Sequence, residues 1–245
     1  MKVLGYVLWE GPSPVDGAPL VAIATMRSKN PKTGPMVQVW ILRADVNPAE
    51  AVATGADRAT CGDCALRPLI QRLARTGQAL SGWRATLRRK PCYVNVGQAP
   101  LAVWRTWRAG GYVVWDGDPA PFAGRAIRWG AYGDPALLPP DVVHTVNAAA
   151  RGWTGYTHQW RTPGAAWARA VFMASADQPG DVDAARARGW RVFYAHDGTA
   201  PLPARVITCP ASKEAGERTT CAECTLCDGA TGDDDARRSI AILAH

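Results

Sequence analysis

Three cysteines stand three residues apart near the end of the chain, at Cys221, Cys224 and Cys227 in TTCAECTLCDG. A fourth, Cys209, lies twelve residues before the first of them. Thiolates at three-residue spacing are typical of iron–sulfur proteins, because a tight turn brings the sulfurs to one side of a cluster. Four thiolates also suit a tetrahedral zinc ion. The spacing favours a [4Fe–4S] cluster, with zinc as the alternative.

A second group of thiols lies earlier in the chain, where Cys61 and Cys64 form the pair in TCGDC and Cys92 follows. Three partitions of the cysteines stay open. The early three hold a second metal centre with a histidine or an open position; or Cys61 and Cys64 share one site with two C-terminal cysteines; or all are reduced, buried thiols. A three-cysteine centre leaves one coordination position for a substrate or cofactor.

The charge of the chain is concentrated in one segment. The net charge is +7, yet residues 64–115 contain no Asp or Glu and carry nine Lys or Arg residues. This segment predicts an anionic partner, either nucleic acid or a phosphorylated substrate, although a soluble arginine-rich face has the same composition. The chain has neither a long apolar run nor the cleavage site of a signal peptide. We therefore expect no membrane partner and a cytoplasmic protein with reduced thiols.

The pattern of apolar runs predicts an α/β fold. Three short strands and a helix capped by Asn47 are expected first, and from residue 92 strands alternate with helices, which is typical of parallel βαβ units. No glycine-rich phosphate-binding fingerprint follows a strand, so an incomplete parallel (β/α) barrel is favoured over a dinucleotide-binding sheet. The predicted domains are an N-terminal β segment (1–60), a barrel-like core (61–208) and a Cys-rich metal-binding region (209–245) that ends in a last strand.

Chemistry in parallel α/β folds lies beyond the carboxyl ends of the strands. His158 follows one predicted strand and is a candidate general base, substrate donor or metal ligand, or else a histidine bonded between strand and helix. Asp134 follows another and is the second candidate catalytic residue, which would hold a substrate hydroxyl or a base. Its alternative roles are to cap the helix expected near Pro139 or to form an Asp-Pro turn. The candidates for substrate binding at the same ends are Gln159, Trp160 and Ser175.

Taken in order, the motifs resemble a family of uncharacterised proteins encoded by bacteriophages and other mobile elements. They span residues 27–229 and are SKNPKTG, CGDC, CYVNVG, RWGAYGDP, GYTHQW, MASAD, GWRVFYA, TCPAS and TTCAECTLCDG. This resemblance implies a phage protein acting in the host cytoplasm. The strand pattern more distantly resembles a radical-SAM barrel. Such enzymes carry C-x3-C-x2-C after the first barrel strand, whereas this chain has C-x2-C and a distant Cys92, which argues against S-adenosylmethionine binding.

Two functions follow from these patterns. The first is a phage-type metalloprotein that binds an iron–sulfur cluster and acts on a nucleotide or a nucleic-acid-derived substrate. The second is a nucleic-acid-binding protein without catalytic activity, in which zinc is structural. A polar pocket with an open metal position favours the first function, and a steep loss of affinity with salt favours the second.

Overall fold

The computed structural model describes residues 3–67, 92, 94–233 and 235–244. The strands in these residues are β1 (Gly5–Pro12), β2 (Pro19–Thr25), β3 (Val37–Arg43), β4 (Val113–Val114), β5 (Ala126–Tyr132), β6 (Gly152–Thr154), β7 (Tyr156–Thr157), β8 (Met173–Ala176), β9 (Val192–His196), β10 (Val206–Thr208) and β11 (Ser239–Leu243). The α-helices are α1 (Pro48–Thr54), α2 (Arg58–Cys61), α3 (Ala99–Arg108), α4 (Pro140–Ala149), α5 (Pro179–Arg186) and α6 (Cys221–Cys224). Short 3-10 helices lie at Ala120–Phe122, Pro135–Leu137, Gln159–Arg161, Pro163–Ala170 and Lys213–Ala215.

The strands form two sheets, ordered β4–β1–β2–β3–β5–β6 and β10–β11–β9–β8–β7. The pairs β1–β2 and β2–β3 are antiparallel, and the other pairs in both sheets are parallel. Only Gly155 separates β6 from β7. The segment 152–157 therefore pairs with β5 through its first half and with β8 through its second half, and it joins the two sheets.

Close packing explains the glycine at this junction. A Cβ at Gly155 would lie 2.4 Å from the Phe172 ring. The Gly155 N–H donates to the Cys227 carbonyl at 3.0 Å, and its carbonyl accepts from the Met173 N–H at 3.0 Å. The junction between the sheets thus also anchors the C-terminal cysteine segment.

The two faces of the parallel strands have different neighbours, because successive side chains point in opposite directions. On β9, Val192 and Tyr194 are buried in the main hydrophobic core together with residues of α4 and α5. Phe193 and Ala195 face the opposite side and line cavities. On β5, likewise, Trp129 is fully buried in the main core. One face of the sheets thus carries the core, and the other carries the candidate site.

The predicted α/β class is confirmed, and no closed barrel is present among the described residues. The expected start of α1 is also confirmed. The Asn47 side chain accepts from the N–H groups of Ala49 and Glu50, each at 3.1 Å, and Gly55 ends the helix with φ +83°. None of the helices in the described part of the chain has the length and hydrophobicity needed to cross a bilayer.

One detail differs from the prediction. Residues 94–97 of CYVNVG form a turn instead of a strand, because the Asn95 side chain accepts from the Gly97 N–H at 3.1 Å and starts the approach to α3. The predicted last strand, β11, is present and lies between β9 and β10. Strands of the three predicted domains therefore pair with one another, as β3 does with β5. The domain boundaries stay a prediction.

Candidate metal centre and adjoining cavities

The four C-terminal cysteines line one cavity of about 520 Å³. The cavity lies at the carboxyl ends of the second sheet, where Asp197 follows β9, Cys209 follows β10 and Ala244 follows β11. This is the edge at which parallel α/β folds place their sites. The structure therefore brings together the predicted metal ligands Cys209, Cys221, Cys224 and Cys227.

Backbone contacts from the N-terminal half hold the helix that carries Cys221 and Cys224. The Cys221 N–H donates to the Lys32 carbonyl and the Ala222 N–H donates to the Thr33 carbonyl, each at 3.0 Å. Gly34 completes this contact, because a Cβ there would meet Thr220 at 3.0 Å. The loop between β2 and β3 thus becomes part of the cysteine site, although the two lie far apart in the sequence.

A buried arginine fixes the segment that follows Cys227. The Arg191 side chain is almost fully buried, with 4% of its surface exposed, and its guanidinium pairs with the Asp228 carboxylate. It also donates to the backbone carbonyls of Leu226 at 2.9 Å and Arg238 at 3.0 Å. Arg237 bonds both oxygens of Asp228 from the other side. The cysteine segment is thereby tied to β9 and to the chain that leads into β11.

Asp235 extends this ion-pair network and gives it a pH dependence. Hydrogen bonds from Arg237 hold the pKa of Asp235 well below its usual range. Because the folded pKa is depressed, this contribution to stability is complete above the unfolded pKa of about 4 and is lost as the pH falls toward the folded value. We expect Asp235→Asn to lower the free energy of unfolding by about 2 kcal/mol at neutral pH, and by progressively less below about pH 4. Urea unfolding of both proteins across this range tests it, and a pH-independent difference would contradict it.

Burial and the neighbouring cations have opposite effects on the pKa values of the C-terminal thiols. Burial raises the pKa values of Cys209, Cys221 and Cys227, and the neighbouring thiols add to the rise. Lys32 lowers the pKa of Cys209, and Arg128 and Lys32 lower that of Cys221. The cavity therefore contains cations that favour thiolates, the form that binds metals.

Three observations bear on whether these thiols could hold a sulfur-ligated metal group. All seven cysteines are free thiols. The Ser212 hydroxyl is buried without a hydrogen-bond partner among the described residues, and the Ser212 N–H donates to the Cys209 carbonyl at 2.9 Å. Hydrogen bonds to cluster sulfurs are a usual feature of iron–sulfur sites. As the side chains stand, no group of three or more His, Cys, Asp or Glu residues in the described part of the chain could hold a single metal ion.

The three early cysteines line a second, smaller cavity of about 110 Å³. The Cys92 N–H donates to the Leu66 carbonyl at 2.7 Å, which places Cys92 beside the Cys61–Cys64 turn. Burial raises the pKa of Cys61, and it raises the pKa of Cys92 to about 11. The wall between the two cavities is shared and consists of Leu66, Tyr156, Phe193 and Ala195.

His158 lies in the smaller cavity between a thiol and a carboxylate. Its Nε2 atom is 3.9 Å from the Cys64 Sγ atom and 3.1 Å from the Asp177 Oδ2 atom. Burial lowers the pKa of His158, but Cys64 and Asp177 outweigh it, and the net shift is well above the usual value. Both partners approach the same ring nitrogen. In a nucleophile–His–Asp triad they occupy opposite nitrogens, so this arrangement is not such a triad.

Asp134 and Gln159 hold His158 in place. One Asp134 oxygen accepts from the Ala136 N–H at 3.0 Å and caps a 3-10 helix. The other accepts from the His158 N–H at 2.8 Å and from the Gln159 amide at 3.1 Å. That amide also donates to the Cys61 carbonyl at 3.3 Å. Asp134 thus caps the 3-10 helix at Pro135–Leu137 and not the predicted helix near Pro139, whose cap is Pro139 itself. Gln159 bonds the protein where substrate binding was predicted.

Of the other two residues predicted to bind substrate, one lines the smaller cavity and the other is buried in the core. Ser175 lines the smaller cavity. Trp160 is buried, donates from its indole N–H to the Ser175 carbonyl at 2.9 Å and stacks under the Arg161 guanidinium at 3.7 Å. It lines neither of the two cavities. Trp160 therefore packs in the core, as is usual for a large aromatic residue with a satisfied N–H.

The sequence analysis did not single out Arg128. This residue lies within the apolar strand β5 and lines the larger cavity, and a charged residue inside a buried strand was the available signal. Tyr132, at the end of the same strand, is buried and lines the smaller cavity, and its burial raises the pKa of its hydroxyl well above the usual value.

No protein-family model, no curated protein and no solved structure matches this chain. The resemblance to phage proteins therefore stays a prediction that rests on the motifs alone.

Proposed function

We propose that this protein is a phage-type metalloprotein in which Cys209, Cys221, Cys224 and Cys227 hold a [4Fe–4S] cluster. The observation that carries the proposal is that these thiols, from two segments of the chain, line one cavity at the carboxyl ends of parallel strands. When bound, such a cluster supplies electron transfer or a reactive metal site. The parallel strands from β3 to β10 would form an incomplete (β/α) barrel around it, in a cytoplasmic setting that keeps thiols reduced.

The chain's own residues would perform three tasks beside the cluster. Arg128 and Lys32 offset the negative charge of the thiolates. The apolar side chains of β9 and β11 exclude water from the same cavity. The remaining volume takes a nucleotide or nucleic-acid-derived substrate, which the cationic wall attracts.

Cys61, Cys64 and Cys92 would form a second centre with an open position. They line a cavity of their own, separate from that of the C-terminal cysteines, and this favours two centres over one mixed site. The His158 ring, which also lines this cavity, would face whatever ligand completes the centre. The spacing of these cysteines still argues against S-adenosylmethionine as that ligand.

The alternative function is a structural-zinc protein that binds nucleic acid without catalysis. The exposed α3 residues Arg105 and Arg108 favour it, since Arg108 also lies 5.6 Å from the Trp104 and Trp107 rings. Not all of the basic segment can serve this role, because Arg67 is buried and pairs with Asp57 at 2.8 Å. The predicted contacts of residues 68–91 and 93 lie outside the described residues.

Metal analysis of protein purified without oxygen tests the proposal. We expect iron and sulfide with broad visible absorption, and a loss of about four iron atoms per chain in the double variant Cys221→Ser/Cys224→Ser. The matched variant Cys61→Ser/Cys64→Ser should lose a similar amount and keep the C-terminal cluster. A Cys221→Ser/Cys224→Ser protein with undiminished iron would contradict the proposed ligands. Colourless protein with stoichiometric zinc would favour the alternative function.

A further inference from the structure

The larger cavity contains a pair of stacked aromatic rings in addition to its thiols. The Tyr156 and Phe193 rings lie with centroids 4.0 Å apart at an angle of 30°. Ile240 and Ile242 of β11 add to the apolar lining. The volume of about 520 Å³ lies within the range of about 300–1,000 Å³ that is typical of sites for small organic ligands. A planar ring system would extend this stack, because aromatic rings stack on one another.

Arg128 introduces a positive charge into the same cavity. Six other arginines in the described part of the chain form ion pairs with aspartates, at positions 43, 67, 161, 169, 191 and 237. Arg128 is half-buried on β5 between Gln38 and Thr154, and no described carboxylate pairs with it. Arg128 acts through space on Cys221 and Tyr156, and this leaves its guanidinium N–H groups without a described carboxylate to accept from them. Its planar fork suits a phosphate or carboxylate held by two hydrogen bonds.

The charges of the cavity limit the size of the anion. Lys32 is the second cation in the wall, and Asp197 is an opposing carboxylate. Because these two cations also offset the thiolates of the same cavity, they leave positive charge for at most one phosphate group, which carries about 1.5 to 2 negative charges at neutral pH. A triphosphate would leave most of its charge unbalanced beside Asp197. Asn30 and Thr33 add polar side chains next to Lys32.

We infer that the larger cavity binds a nucleoside monophosphate, with the base against Phe193 and the phosphate on Arg128 and Lys32. This inference rests on the proposed function, because it takes the cavity beside the C-terminal cysteines as the working site, and it names the class of substrate. The phosphate oxygens accept from the guanidinium, and the base replaces water against the Phe193 ring.

Calorimetric titration of the four common ribonucleoside 5′-monophosphates, each compared with its own nucleoside, tests the inference. We expect at least one monophosphate to bind about tenfold or more tightly than its nucleoside, which is the contribution of a charge-assisted phosphate contact. Arg128→Gln should remove that preference and leave nucleoside affinity unchanged. Arg188→Gln removes the same charge from an exposed position just after α5, outside both cavities, and this variant should bind as the wild type does.

Iron content measured on the same samples separates this inference from the proposed function. Iron-free protein that still prefers the monophosphate would overturn the cluster and support the nucleotide site. Iron-loaded protein without the preference, or an Arg128→Gln protein that keeps it, would overturn the nucleotide site and leave the cluster. If the Arg128→Gln protein also loses iron, the Lys32→Gln variant is measured instead, provided that it keeps the wild-type iron content. A reduced preference of this variant for the monophosphate over the nucleoside supports the inference, and an unchanged preference overturns it.

Discussion

Replacing Arg191 with methionine is expected to lower the free energy of unfolding by about 2–3 kcal/mol. Methionine fills much of the arginine volume but removes the hydrogen bonds to the carbonyls of Leu226 and Arg238. It also removes one ion pair of Asp228, although Arg237 still bonds both oxygens of that carboxylate. The loss of stability therefore comes mainly from part-buried carbonyls that lose their donors. Urea unfolding of the metal-free proteins measures this effect without any contribution from metal binding.

The same substitution should abolish metal binding by the C-terminal cysteines. Arg191 bonds the backbone on both sides of Cys227, so its loss frees the segment that carries three of the four thiols. Asp233→Asn is the control, because Asp233 is largely exposed in its pair with Arg169 and such pairs contribute only about 0–1 kcal/mol. An Arg191→Met protein with wild-type stability and iron content would show that the cysteine segment holds its shape without this arginine.

The local pattern of the sequence was sufficient to predict most strands and helices. Alternating apolar residues predicted β5 and β9, and Asn47 with Pro48 and Gly55 predicted the limits of α1. Each of these signals acts over a few residues. Long-range pairing has no such signal, and the place of β11 between β9 and β10 depends on which strands complement one another after folding.

The sequence predicted the cysteines of the candidate site better than it predicted the contacts around them. Cysteine spacing indicated both groups of ligands, because spacing is a local property. The docking of the Lys32–Thr33 backbone on α6 was not predictable, since it uses main-chain atoms that every residue has. The roles of Asp134 and Gln159 were open for a similar reason. A carboxylate at a strand end has the same sequence pattern whether it contacts substrate or holds a loop.

Gly62→Ala is the second substitution with a large expected effect. Gly62 has φ +53° and ψ −123°, a conformation that glycine adopts readily and other residues do not. A Cβ there would lie 2.5 Å from both the oxygen and the nitrogen of the Gln159 amide. We expect a loss of at least about 2 kcal/mol in the free energy of unfolding, from backbone strain and from the displaced amide together.

Displacement of the Gln159 amide should affect one of the two proposed metal centres and not the other. Gln159 joins the Cys61 carbonyl to Asp134, and Asp134 in turn holds His158. Gly62→Ala should therefore remove the iron of the three-cysteine centre and spare that of the C-terminal cysteines. Gly164→Ala is the control, because a Cβ there meets nothing within 4 Å, and it should be neutral or slightly stabilising. Equal iron loss from both centres would mean that the shared wall between the cavities couples them, whereas unchanged iron would contradict a metal centre at Cys61, Cys64 and Cys92.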